Sequence, residues 1–162
     1  MASGKTTVGR IVATRLGWAF RDLDQVIADT AGISVAEIFA REGEAGFRRR
    51  EVEALRGAAV LPRTVVATGG GAACDETNLA LMLASGHVVT LAVTPTEVMR
   101  RAGGDPGRPL LAGQSDPLGA ASQLLAASEL FYARAHHRVE TLNKSPETVA
   151  AEVLSLLEPK AP

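Results

Sequence analysis

Met1-Ala2-Ser3-Gly4-Lys5-Thr6-Thr7, the first seven residues, decide how the rest of the chain is read. They have the form x-x-x-Gly-Lys-Thr, the closing half of a phosphate-binding loop, and run straight into a helical pattern. In such a loop successive backbone N–H groups and a helix N-terminus point at the phosphates. The lysine reaches the β and γ oxygens, and the hydroxyl after it meets Mg²⁺. Lys5 and Thr6 take those two positions, with Ala2, Ser3, Gly4 and Thr7 around them. The full pattern also has a glycine five positions before Gly4 and a strand that delivers the loop. Both would lie ahead of Met1, so the expectation is a site that begins partway through its loop.

Composition sets the class. A chain of 162 residues, 46% hydrophobic and 22% charged, suits one α/β-sized globular domain over 1–162. The formal net charge of −1 leaves no basic excess to neutralise a nucleic-acid backbone. Cys74 is the single cysteine, which excludes an intramolecular disulfide and suits a reducing compartment. No apolar run has membrane-spanning length and no charged leader precedes a short apolar core. A cytoplasmic protein is expected.

Helical spacing of Val8, Ile11, Val12 and Leu16, stopped by Gly17, gives the helix behind the loop. Trp18 to Asp24 reads as a short strand whose period of two puts Asp22 and Asp24 on one side of its tip. Ser34 and Glu37 have capping-box spacing, and a second helical segment runs from about Glu44 to Arg56. Thr64 to Thr68 is a buried strand leading into Gly69-Gly70-Gly71, where backbone can approach a ligand closely. Asp75 caps a helix ending near Gly86, and His87 to Val93 is the next strand. Thr94, Pro95 and Glu97 punctuate another helix start. The stretch from Gly103 to Pro109 is a loop by its glycine and proline density. A helix from Leu118 to about Arg134, a strand from His137 to Thr141 and a helix from Pro146 complete the chain. Strands alternating with helices predict a parallel sheet flanked by helices on both faces, with ligands at the carboxyl ends of the strands.

That edge gathers what phosphoryl transfer needs: phosphate positioning, a metal, an oriented hydroxyl and cations against the transition-state charge. Lys5, Thr6, Asp22 or Asp24, and a loop arginine such as Arg108 can supply them. Each residue also has a bland reading. An isolated Asp-x-Asp is more often a capping pair, and Arg48-Arg49-Arg50 is more often a solvated face paired with Glu51 and Glu53. Three successive arginines cannot all face one site. The occurrence of these features in one α/β order favours a site.

Gly4-Lys5-Thr6-Thr7-Val8-Gly9-Arg10, Asp22-Leu23-Asp24, Ile38-Phe39 with Glu42-Gly43-Glu44, Phe47-Arg48-Arg49, Thr68-Gly69-Gly70-Gly71 and Arg108-Pro109-Leu110-Leu111 together resemble the shikimate kinase family over nearly the whole chain. The resemblance implies a P-loop NTPase fold with strand order 2-3-1-4-5, strand 1 being absent here. It implies a helical acceptor-binding segment at about 33–57, a lid at about 103–117, and a monomer. The implied reaction transfers the ATP γ-phosphoryl group to the 3-hydroxyl of shikimate. By matched position Asp24 orients that hydroxyl, and Arg48 holds the substrate carboxylate. Gly69, Gly70 and Gly71 line the substrate. Thr6 ligates Mg²⁺, with Asp22 acting through water, Arg108 reaches the phosphates, and Arg101 and the Pro146 region flank adenine. Arg134, one or two positions late relative to the family pattern, is the candidate for a second carboxylate-binding arginine. Its displacement keeps a kinase for another polyhydroxy acid, such as gluconate, as an alternative. The incomplete loop keeps a non-catalytic nucleotide-binding domain as another.

Overall fold

The protein is described from a computed structural model covering residues 3–102 and 116–157. Helix α1, Lys5–Leu16, opens the chain, and Gly17 closes it at φ 65°, a left-handed turn that costs glycine nothing. Val8 and Val12 form its buried face. They pack on Val149, Ala150 and Val153 of α7 (Pro146–Leu157) and on Val139 of β4 (His137–Glu140). Burying each such aliphatic side chain contributes about 1.5–3 kcal/mol, which makes α1 a rigid seat for the loop before it.

Strand β1 covers only Ala19–Asp22. The expected extension to Asp24 is not found: Asp22 is the N-cap of α2 (Leu23–Ala31), accepting from the Asp24 backbone N–H at 3.1 Å. An aspartate that can cap competes with strand continuation, and here the cap wins. The two carboxylates therefore sit on a strand end and a first helical turn, and not on one strand face. Leu23 and Ile27 are buried beneath α2, in contact with α3 residues Leu55, Ile38 and Phe47.

Helix α3, Val35–Ala59, begins with the full capping box, Ser34 Oγ accepting from Glu37 N while Glu37 Oε2 accepts from Ser34 N. Gly43, at φ 68° and ψ −175°, breaks it into the two segments that the sequence pattern suggests. Glu42 and Arg50 then close across the kink through two hydrogen bonds, 2.7 and 3.1 Å.

Strand β2, Thr64–Ala67, pairs in parallel with β1, and β3, Val89–Ala92, pairs in parallel with β4. Helix α4 (Glu76–Ser85) lies between β2 and β3, and α5 (Pro95–Ala102) and α6 (Pro117–Tyr132) lie between β3 and β4. The pairs β1-β2 and β3-β4 are not hydrogen-bonded to one another among the described residues. A cavity of about 580 Å³ separates them, lined by Val65 and Val66 of β2, Val89 and Leu91 of β3, and Val8 and Val12 of α1. These are the strand partners expected on the two sides of a family first strand. Thr94 caps α5 through Glu97 N at 3.3 Å, but the Glu97 carboxylate turns to Arg100 and Arg101.

Candidate active site

Gly4 precedes α1 in a left-handed conformation, φ 87°, and no side chain caps the helix. The first-turn N–H groups thus form an anion-binding terminus, and Lys5 stands at the same end. Lys5 Nζ lies 3.3 Å from Ser3 Oγ, and Ser3, Lys5, Thr68, Gly69, Gly70 and Tyr132 share the lining of a cavity of about 100 Å³. Thr6 Oγ1 donates to Asp22 Oδ2 at 2.6 Å. One aspartate therefore links the loop hydroxyl to the first turn of α2, where Asp24 sits.

Asp24 is raised above its ordinary value by burial first and by the neighbouring Asp22 charge second, while Lys5 and Arg48 oppose the shift. A partly desolvated carboxylate beside a second carboxylate accepts a proton more readily than a free one.

Arg48 faces the glycine turn. A methyl group at Gly71 would overlap its guanidinium, and one at Gly69 would come within 2.7 Å of Glu51 Oε1 and 3.2 Å of Asp24 Oδ1. Asp24, Arg48, Glu51 and the turn after β2 thus converge where only glycine fits. Of the three arginines, Arg48 alone takes this position: Arg50 is held by Glu42 and Arg49 is exposed.

Further residues support the cluster. Glu51 is buried, bonded to Arg48 Nη1 through Oε2 at 2.8 Å, with no partner for Oε1. Burial raises its pKa against the pull of Arg48. Its signal was the i,i+3 spacing from Arg48 on a helix. Tyr132 donates its hydroxyl to the Gly70 carbonyl, and Cys74 Sγ lies 3.4 Å from Ser128 Oγ, so α6 holds the glycine turn from behind. No spacing rule relates residues so far apart in sequence.

Arg134 lies beyond the end of α6, and its Nη1 donates to both carboxylate oxygens of Glu76 at 2.7 and 2.8 Å. That pairing is solvent-exposed and joins the end of α6 to the start of α4. Arg101 Nε donates to Glu97 Oε1 at 2.6 Å and Nη2 to the Thr141 carbonyl at 3.1 Å, close in sequence to Pro146 at the start of α7. Ala2, Arg108 and nearly all of the expected lid lie outside the described residues. Oxygen donors from Thr6 and Asp22 suit a hard cation such as Mg²⁺, which takes one or two protein oxygens and completes its shell with phosphate and water. Among the described residues no cluster of three His, Cys, Asp or Glu side chains forms a separate metal cage, and no helix is long and apolar enough to cross a membrane.

A sequence model of one family, described as "Shikimate kinase", matches residues 1–158. A shikimate kinase of Geobacter metallireducens is 44% identical over 159 residues, covering 98% of this chain and 88% of the relative. One of Symbiobacterium thermophilum is 45% identical over 161 residues, with 98% and 92% covered. The solved structure of a shikimate kinase from Acinetobacter baumannii in complex with shikimate superposes with a TM-score of 0.94 at 35% identity, covering 97% of this chain and 88% of that one.

Proposed function

The chain belongs to the shikimate kinase family, and we propose on that premise that its site transfers the ATP γ-phosphoryl group to the 3-hydroxyl of shikimate, giving shikimate 3-phosphate and ADP. The observation that carries the residue assignment is the convergence of Asp24, Arg48 and Gly69 to Gly71 beside the Lys5 end of α1.

Arg48 holds the acceptor carboxylate by charge-assisted hydrogen bonds, and the backbone at Gly69 to Gly71 lies along the ring. Asp24 accepts the hydrogen of the 3-hydroxyl and aims its oxygen at the γ-phosphorus. As the new O–P bond forms, the bond from the γ-phosphorus to the β–γ bridging oxygen breaks, and its electron pair leaves with ADP. The hydroxyl proton passes to Asp24 and then to water. Lys5 and the first-turn N–H groups of α1 stabilise charge on the phosphate oxygens. Mg²⁺, held by Thr6 and through water by Asp22, would neutralise charge on the ATP phosphates. Arg108 completes the cationic set from the lid at about 103–117, Arg101 and Pro146 border the adenine, and the segment at about 33–57 carries the acceptor. The protein acts as a cytoplasmic monomer.

Shikimate-dependent ADP release by this chain tests the reading, with Asp24→Asn as the control. Turnover lost in the control supports it. Activity on gluconate and none on shikimate, or Mg-ATP binding without turnover on either acid, overturns it.

A further inference from the structure

Arg48 meets the acceptor pocket already carrying two carboxylates. Its Nη1 donates to Glu51 Oε2 at 2.8 Å. Its other edge, Nε at 3.3 Å and Nη2 at 3.0 Å, converges on one oxygen of Glu44, Oε1. The two glutamates differ in what holds them. Glu51 is 1% exposed and cannot leave without creating a buried, unpaired cation edge. Glu44 is 58% exposed and sits directly after the Gly43 kink, where a rotamer change puts its carboxylate in water.

The Nε/Nη2 edge, clear of Glu51, is a pair of parallel donors, the geometry that takes a planar carboxylate in two hydrogen bonds. Glu44 occupies that edge. A ligand carboxylate cannot share it, because two anions on one edge repel and compete for the same two N–H groups.

We propose that Glu44 is a placeholder for the acceptor's carboxylate: it holds the Nε/Nη2 edge of Arg48 and swings into solvent when an acid acceptor binds. The proposal rests on the reading that Arg48 receives that carboxylate. Its consequence is a built-in competitor. A solvated i,i+4 pair is weak, so a carboxylate positioned by the rest of the pocket displaces it, while a monodentate or poorly placed anion does not. Glu44 thereby trades some affinity for selection among anions, and keeps the guanidinium oriented between turnovers.

Calorimetric titration of shikimate into the whole chain, with Glu44→Gln and Glu44→Ala, tests it, alongside shikimate methyl ester as the uncharged probe and Arg48→Lys as the reference. Removing a competing exposed pair is expected to tighten shikimate binding about two- to fivefold, leaving the ester's affinity, the ATP KM and kcat unchanged. Unchanged or weaker shikimate binding in both Glu44 variants, with Arg48→Lys weakened tenfold or more, overturns the placeholder and leaves the role of Arg48 standing. If Arg48→Lys binds shikimate as the unsubstituted chain does, the role of Arg48 falls and the placeholder with it.

Discussion

The guanidinium of Arg48 lies directly against Gly71, so close that a β-carbon there would overlap Nη1, Nη2 and Cζ together. What a Gly71→Ala substitution strikes is the far end of a flexible side chain, and not backbone, so the fold can yield by moving Arg48 aside. Stability is expected to change by about 1 kcal/mol or less. Substrate binding has no such freedom, because a displaced guanidinium forfeits hydrogen bonds to a charged ligand worth roughly 1.5–3 kcal/mol, or about tenfold to a hundredfold in affinity. Thermal melts and initial rates should therefore separate: an almost unchanged Tm with a shikimate KM raised at least tenfold and an unchanged ATP KM. A parallel rise in the KM of both substrates would point to a general disturbance of the sheet edge.

Glu51 supports the same guanidinium from inside. Glu51→Ala removes the acceptor for Arg48 Nη1 and leaves a buried gap between α3 and the glycine turn, at an expected cost of about 2 kcal/mol. If its place is to aim Arg48, the folded variant shows a higher shikimate KM and little change in kcat. A folded Glu51→Ala enzyme with its shikimate KM intact would reduce Glu51 to packing.

Asp24 should set stability against activity. Its folded-state pKa is raised, mainly by burial, so the ionised form is penalised by folding at all pH values above the folded pKa. Because the folded state binds this proton more tightly than the unfolded state, the penalty vanishes below the ordinary value of 3.8 and develops as pH rises. Asp24→Asn is accordingly expected to lose about 10²- to 10⁴-fold in kcat while melting higher than the parent near pH 7. The gap in Tm should close as pH falls below 4. An Asn variant that melts lower at neutral pH would mean that the Asp24 charge is net stabilising.

The parts of this site that the sequence made legible are those carried by local rules. Gly4-Lys5-Thr6 declared a helix N-terminus built for phosphate, Ser34 and Glu37 declared a helix start, and Gly69 to Gly71 declared a backbone surface. One local signal misleads. Period two assigned Asp24 to a strand, because nothing in Asp-x-Asp distinguishes a strand end from a helix cap until the Asp22 carboxylate is seen on the Asp24 N–H. Arg134 follows the end of α6 at Tyr132 and pairs with Glu76 at the surface. Glu51 on Arg48 is marked only by its i,i+3 spacing, whereas Tyr132 on Gly70 follows from tertiary approach, for which periodicity carries no information.

Helix α5 carries an acid-sensitive clamp. Glu97 accepts from Arg100 Nη2 and Arg101 Nε, both at 2.6 Å, and Arg101 ties α5 to Thr141 at the end of β4. Hydrogen bonds from Arg100, with those from Arg101, hold the Glu97 pKa down to about 2 against the desolvation that opposes them. A depressed folded-state pKa stabilises the fold fully above the ordinary value of 4.5, and that contribution is lost as pH falls from 4.5 toward 2. Glu97→Gln removes the titration and weakens both arginine contacts. Its Tm should lie below the parent's at pH 7, and the difference should shrink steadily between pH 4.5 and 2, the opposite slope to that of Asp24→Asn. If Arg101 borders adenine, the same variant raises the ATP KM and leaves the shikimate KM alone. Melting curves that stay parallel across that pH range would show that the clamp does not titrate with the fold.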